Sequence, residues 1–86
     1  MKIQNQSYQF VPPGGDPANP IRILGLQEYS PGQSRKTDVW LLKVPEAYRH
    51  AIPDGTECES YGAVLRFIAR IYFDGDDAKA KSAISS

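Results

Sequence analysis

The chain is short of cysteine, histidine, net charge and long apolar runs, and each shortage removes a class of function. In 86 residues, ten Lys and Arg balance ten Asp and Glu. No global field therefore draws it to nucleic acid, to a membrane surface or to acidic substrates, and any such binding would need a local patch. Cys58 is the single cysteine, which excludes an intramolecular disulfide and a thiolate zinc cluster within one chain and fits a reducing compartment. The start, Met1 to Gln6, is polar and lacks the apolar centre of a signal peptide. No stretch approaches the roughly 18 to 20 apolar residues of a membrane span. A small cytoplasmic protein is expected.

Catalytic raw material is equally thin. His50 is the only histidine, and a nucleophile-base pair with Cys58, oriented by Asp54, would have to form across the Pro53-Asp54-Gly55 turn. A histidine after an arginine on a short helix reads more simply as a surface residue, and Cys58 as a small core residue. Neither G-x-x-x-x-G-K-S/T nor G-x-G-x-x-G occurs. Asp74-Gly75-Asp76-Asp77 looks like the start of an acidic metal loop, but the position where a calcium loop needs glutamate is Ser85. The expectation is a protein that is not an enzyme and holds no cofactor or metal.

What the chain does have is one strongly periodic segment. Tyr61, Val64, Leu65, Ile68, Ile71 and Tyr72 follow one helical face, with Arg66 and Arg70 opposite. Thr56 and Glu59 have capping-box spacing, Glu57 and Glu59 suit a helix N-terminus, and Gly75 suits its end, so the pattern predicts a helix over 57–73. Ala63, Leu65, Phe67, Ala69, Ile71 and Phe73 also alternate, which supports a rival reading of 61–73 as one long strand in a mostly β fold.

Upstream, residues 2–11 read as a short strand with Tyr8 and Phe10 on one side. Residues 12–20 hold four prolines and two glycines and read as a loop. Ile21 to Tyr29 and Thr37 to Val44 are strand-like around a polar tip carrying Pro31-Gly32, which predicts an antiparallel hairpin, and Gly25 marks a bulge or a close approach. Pro45 opens a short helix through Ala51, ended before Pro53. The expected fold is α+β: a single domain over 1–75, with the hairpin packed on one long amphipathic C-terminal helix, followed by a flexible polar tail over 76–86.

Two functions fit these residues. The first is a non-enzymatic protein-interaction module, a profile shared by accessory or inhibitor proteins of phages and other mobile elements that bind a host protein. Tyr, Trp and Arg are the side chains enriched at binding hot spots, and a wide apolar helix face also suits a homodimer. The candidate partner-binding residues are Tyr29, Arg35, Lys36, Trp40, Lys43, Tyr48, Arg49, Arg66 and Arg70. The second is nucleic-acid binding, with Arg22, Arg35, Lys36 and Lys43 interleaved with Tyr29, Trp40 and Tyr48 as stacking platforms for a single strand.

The order strand, helix, Gly55 turn, helix over 37–73 resembles the ribbon-helix-helix regulators across less than half of the chain. That resemblance would imply a dimer reading the DNA major groove with alternate polar strand residues. Thr37, Val39, Leu41 and Lys43 alternate here with Asp38, Trp40, Leu42 and Val44, and neither set supplies long polar readers.

Overall fold

The computed structural model describes residues 2–29 and 36–85. Five strands form one antiparallel sheet: β1 (Lys2–Phe10), β2 (Ile21–Tyr29), β3 (Lys36–Lys43), β4 (Thr56–Cys58) and β5 (Ile84–Ser85), in the order β4-β3-β2-β1-β5. Two helices, α1 (Tyr61–Tyr72) and α2 (Asp77–Ala83), complete an α+β arrangement, and a 3-10 turn spans Glu46–Tyr48.

The β2–β3 hairpin forms as the alternation predicts, paired from Arg22↔Lys43 to Tyr29↔Lys36. Its connecting tip, with Arg35, lies outside the described residues. The proline-rich segment resolves into two consecutive turns. In Pro12-Pro13-Gly14-Gly15, the Gly15 N–H donates to the Pro12 carbonyl at 2.8 Å and Gly14 has φ of 76°, the positive value that a type II turn requires at its third residue. Asp16-Pro17-Ala18-Asn19 follows, where the Asp16 carboxylate accepts the Ala18 N–H and its carbonyl accepts that of Asn19, the local bonding that favours Asp at the head of a turn.

Period-2 pleating sorts the strand residues onto two faces. Phe10, Ile21, Ile23, Leu42 and Val44 point into the core and are buried, meeting Val64, Ile68 and Ala69 of α1 and Ala80 of α2. Helix α1 lies along β1: Tyr61 contacts Tyr8 and Trp40, and Tyr72 at the other end contacts Phe10. The face read from the sequence is the face that is used, with Arg66 and Arg70 exposed. At roughly 1.5 to 3 kcal/mol for each large apolar side chain fully removed from water, this one-sided core is the main source of stability.

Three expectations need correcting. The single long helix over 57–73 is absent: α1 has 12 residues and begins after Ser60, whose hydroxyl accepts the Ala63 N–H at 3.1 Å. Thr56 does not cap a helix; its hydroxyl donates to the Pro53 carbonyl, and Thr56–Cys58 adds as an edge strand to β3. The exposed amides and carbonyls of β3 outcompete the capping box for this backbone. The rival long strand over 61–73 is not adopted either, because the helix lets Val64 and Ile68 reach the sheet together.

The segment read as a flexible polar tail, 76–86, carries α2 and β5. The Asp76 carboxylate caps α2 through the N–H groups of Ala78 and Lys79. Ala80 is fully buried, and Ile84 pairs with Phe10 at the edge of β1. The ribbon-helix-helix resemblance does not extend to the fold. The strand it would use is flanked by β2 and β4, and its first helix is the three-residue turn Glu46–Tyr48.

Gly25 tests this packing. It stands directly opposite Trp40, and a Cβ added there would lie 3.0 Å from the indole ring and 3.4 Å from Gln6 Cβ, beside the bulge that shifts the β1–β2 register between Gln4 and Gln6. Gly25→Ala must push Trp40 toward Tyr61, and a loss of about 1 to 3 kcal/mol is expected in urea unfolding, as for other overpacked cores. An unchanged midpoint and slope would show that the indole does not rest on Gly25.

Candidate interaction surface

The face of the sheet opposite the helices is ordered in rows by the strand register. Gln9, Arg22 and Lys43 lie side by side across β1, β2 and β3, with Ser85 of β5 beside Gln9. The next row is Ser7, Leu24, Leu41 and Glu57, and beyond it lie Gln4, Leu26 and Val39. Leu24, Leu26, Val39 and Leu41 thus form a two-by-two aliphatic block on the central strands. They are half-buried by one another and by their strand neighbours, and none belongs to the core cluster or packs against it. A sheet face carrying aliphatic pairs at its centre and polar residues at its rim is the pattern of a contact surface.

At the polar end the sheet meets a cleft of about 600 Å³ bounded by Gln9, the Pro17–Pro20 loop, Arg22, Lys43, Pro45 and the Arg49/Asp54 pair. Its wall is set where β3 leaves the sheet. The Val44 N–H donates to Asp54 Oδ1 at 2.8 Å, and the Val44 carbonyl accepts from Arg49 Nε at 2.9 Å. Two side chains thereby supply the partners that a neighbouring strand would give. Arg49 and Asp54 are also 3.7 Å apart as an exposed ion pair, which by itself adds little. The Tyr48 hydroxyl accepts the Asp16 N–H at 2.9 Å and ties the proline-rich loop to this corner.

The candidate residues therefore scatter. Trp40 turns toward the helix side, with ring centroids 6.1 Å from Tyr8 and 5.3 Å from Tyr61, so it anchors α1 and is no free stacking platform. Tyr48 and Arg49 are bonded within the fold, and Lys43 lies in the cleft beside Arg22. Arg66 and Arg70 border a separate shallow groove with Glu57, Cys58 and Phe67. Tyr29 and Lys36 are paired in register at the far end of the hairpin, and Arg35 is outside the described residues.

The aliphatic block was missed as a surface because Leu24, Leu26, Val39 and Leu41 read equally well as core; only the strict alternation with Ile23, Gly25, Trp40 and Leu42 hints at a second face.

The proposed nucleophile pair gains nothing from the geometry. Burial pushes the Cys58 thiol above its ordinary value, the opposite of an activated thiolate. Asp54 is committed to Val44 and Arg49, so it is not available to orient His50. Among the described residues, no group of three or more His, Cys, Asp or Glu is placed to hold a metal ion, and no helix is long and apolar enough to cross a membrane. No family model matches the chain, and neither a curated protein nor a solved structure matches it.

The Asp54 carboxyl is held below its ordinary value of 3.8, first by the Val44 N–H, with Arg49, Lys43 and the Gly55 amide adding to this against a desolvation effect in the other direction. A carboxyl lowered on folding stabilises the fold above its unfolded value and loses that contribution as pH falls through the folded one. Melting temperature should therefore drop as pH is taken below 3.8, and Asp54→Asn should lose this part of the acid dependence. Parallel melting curves for the two proteins over that window would show that the Asp54 clamp is not formed.

Proposed function

We propose that the chain is a non-enzymatic protein-interaction module whose partner covers the open face of the sheet. The observation that carries this is the aliphatic block: Leu24 faces Leu41 and Leu26 faces Val39 in register, on the side away from every core contact. Burying such a block returns about 25 cal/mol for each Å² of apolar surface removed from water, and the polar rim of Ser7, Gln9, Arg22, Lys43 and Glu57 would set register and orientation. This moves the interaction away from most of the expected anchors and keeps Lys43 at its rim. A phage or mobile-element accessory protein that binds a host protein is compatible with this surface.

The nucleic-acid alternative loses support, because Trp40 packs against Tyr8 and Tyr61 and Tyr48 is tied to the proline-rich loop. A second copy of the chain is the other occupant to distinguish, since a two-fold dimer uses one self-complementary patch twice.

Leu24→Gln with Leu41→Gln should leave the circular dichroism spectrum and cooperative unfolding intact while abolishing capture of the partner from native-host extract. Arg66→Gln with Arg70→Gln should capture it as the unaltered protein does. Sedimentation of the unaltered protein as a dimer, and of the leucine variant as a monomer, would assign the face to self-association. Capture of the same protein by the leucine variant would rule out this face as the docking site.

A further inference from the structure

We propose that the cleft at the polar end of the sheet is a binding site for the phosphate group of a small phosphorylated molecule. This does not rest on the protein-docking reading and would hold if the aliphatic block had no partner. The first observation is the register, which sets Arg22 and Lys43 directly opposite each other on neighbouring strands, both exposed and both lining the cleft. Like charges placed directly opposite across a ladder destabilise a sheet. An anion bridging them would convert that repulsion into attraction.

The second observation is the state of the carboxylate in the same cleft. Among the described residues, Asp54 is the one carboxylate lining the cleft, beside three cations, Arg22, Lys43 and Arg49. Its two oxygens are already engaged, one with the Val44 N–H and one with Arg49. It attracts Lys43 only through space, and Arg22 forms no ion pair with any described residue. The cleft is therefore locally cationic in a chain whose total charge is zero.

Shape and lining narrow the ligand class. At about 600 Å³ the cleft exceeds what a bare ion needs and lies within the range of small-molecule sites. A guanidinium fork and an ammonium beside it suit a phosphate dianion. Gln9 and Asn19 bring further amide donors, and the rings of Pro17, Pro20 and Pro45 form an apolar wall for the rest of a small molecule. The wall is held in place by the Asp16 turn and by the Tyr48 hydroxyl bond.

The test is an amide-resolved NMR titration of the full chain at about 20 mM salt, where screening of the charges is weak. The probes are inorganic phosphate, pyrophosphate and citrate. Phosphate and pyrophosphate should produce saturable shifts at Gln9, Asn19, Arg22 and Lys43. Arg22→Gln or Lys43→Gln should weaken binding by about tenfold, the scale of one charge-assisted hydrogen bond, while Arg66→Gln leaves it unchanged. Each substitution lies at an exposed position, and matching amide spectra away from the cleft would show that the fold is kept. Shifts spread over the exposed cations without saturation would overturn the proposal, as would binding that survives both cleft substitutions. Citrate binding as tightly as pyrophosphate would overturn the phosphate assignment.

Discussion

Helices of twelve and seven residues have to cover a five-stranded sheet, and they cover one face of it. Most of the fully buried large side chains follow from that constraint. Phe10, Ile21, Ile23 and Leu42 rise from the sheet to meet Val64 and Ile68, and the aromatic contacts of Tyr61 and Tyr72 fix α1 along β1. Because the chain has no further helix among its described residues, Leu24, Leu26, Val39 and Leu41 are left on the other side. The open aliphatic face is thus a by-product of how little helix the described residues possess.

The same economy appears at the edges. β4 and β5 contribute three and two residues, enough to pair the centre of β3 and the end of β1 but too short to offer long templates for aggregation. Where β3 runs out of strand partners at Val44, Arg49 and Asp54 take over both backbone groups, and in doing so they form one wall of the cleft. Charge is placed in this protein by backbone need: Asp54 is spent on an amide and Arg49 on a carbonyl, which leaves Arg22 and Lys43 as the accessible cations of that corner.

Much of this frame was legible in advance. The hairpin follows from alternating apolar residues on either side of a polar tip, the loop over 12–20 from its prolines and glycines, and the buried face of α1 from its 3.6-residue period. Gly25 announced a close approach, and Trp40 is what approaches. Other elements carried no local signal. Thr-Glu-Cys is too short to show a period, and it becomes a strand because β3 offers it an edge. Asp-Ala-Lys-Ala-Lys-Ser-Ala has no large apolar residue to reveal a buried face, so Ala80 had nothing to distinguish it until the core around it was in place.

By itself the sequence determined that the three long strands are extended, that the proline-rich segment between the first two leaves the sheet, and which face of its one periodic helix seeks a core, because these depend on neighbours a few residues apart. It also set the scarcity of catalytic groups and the zero net charge. The tertiary structure alone decided which side of the hairpin meets the helix, that Trp40 is an anchor of α1 and not a surface platform, and that Arg22 and Lys43 share a cleft with Asp54. Those outcomes depend on strand register and on contacts between residues far apart in sequence, and a one-residue change of register would have reversed every one of them.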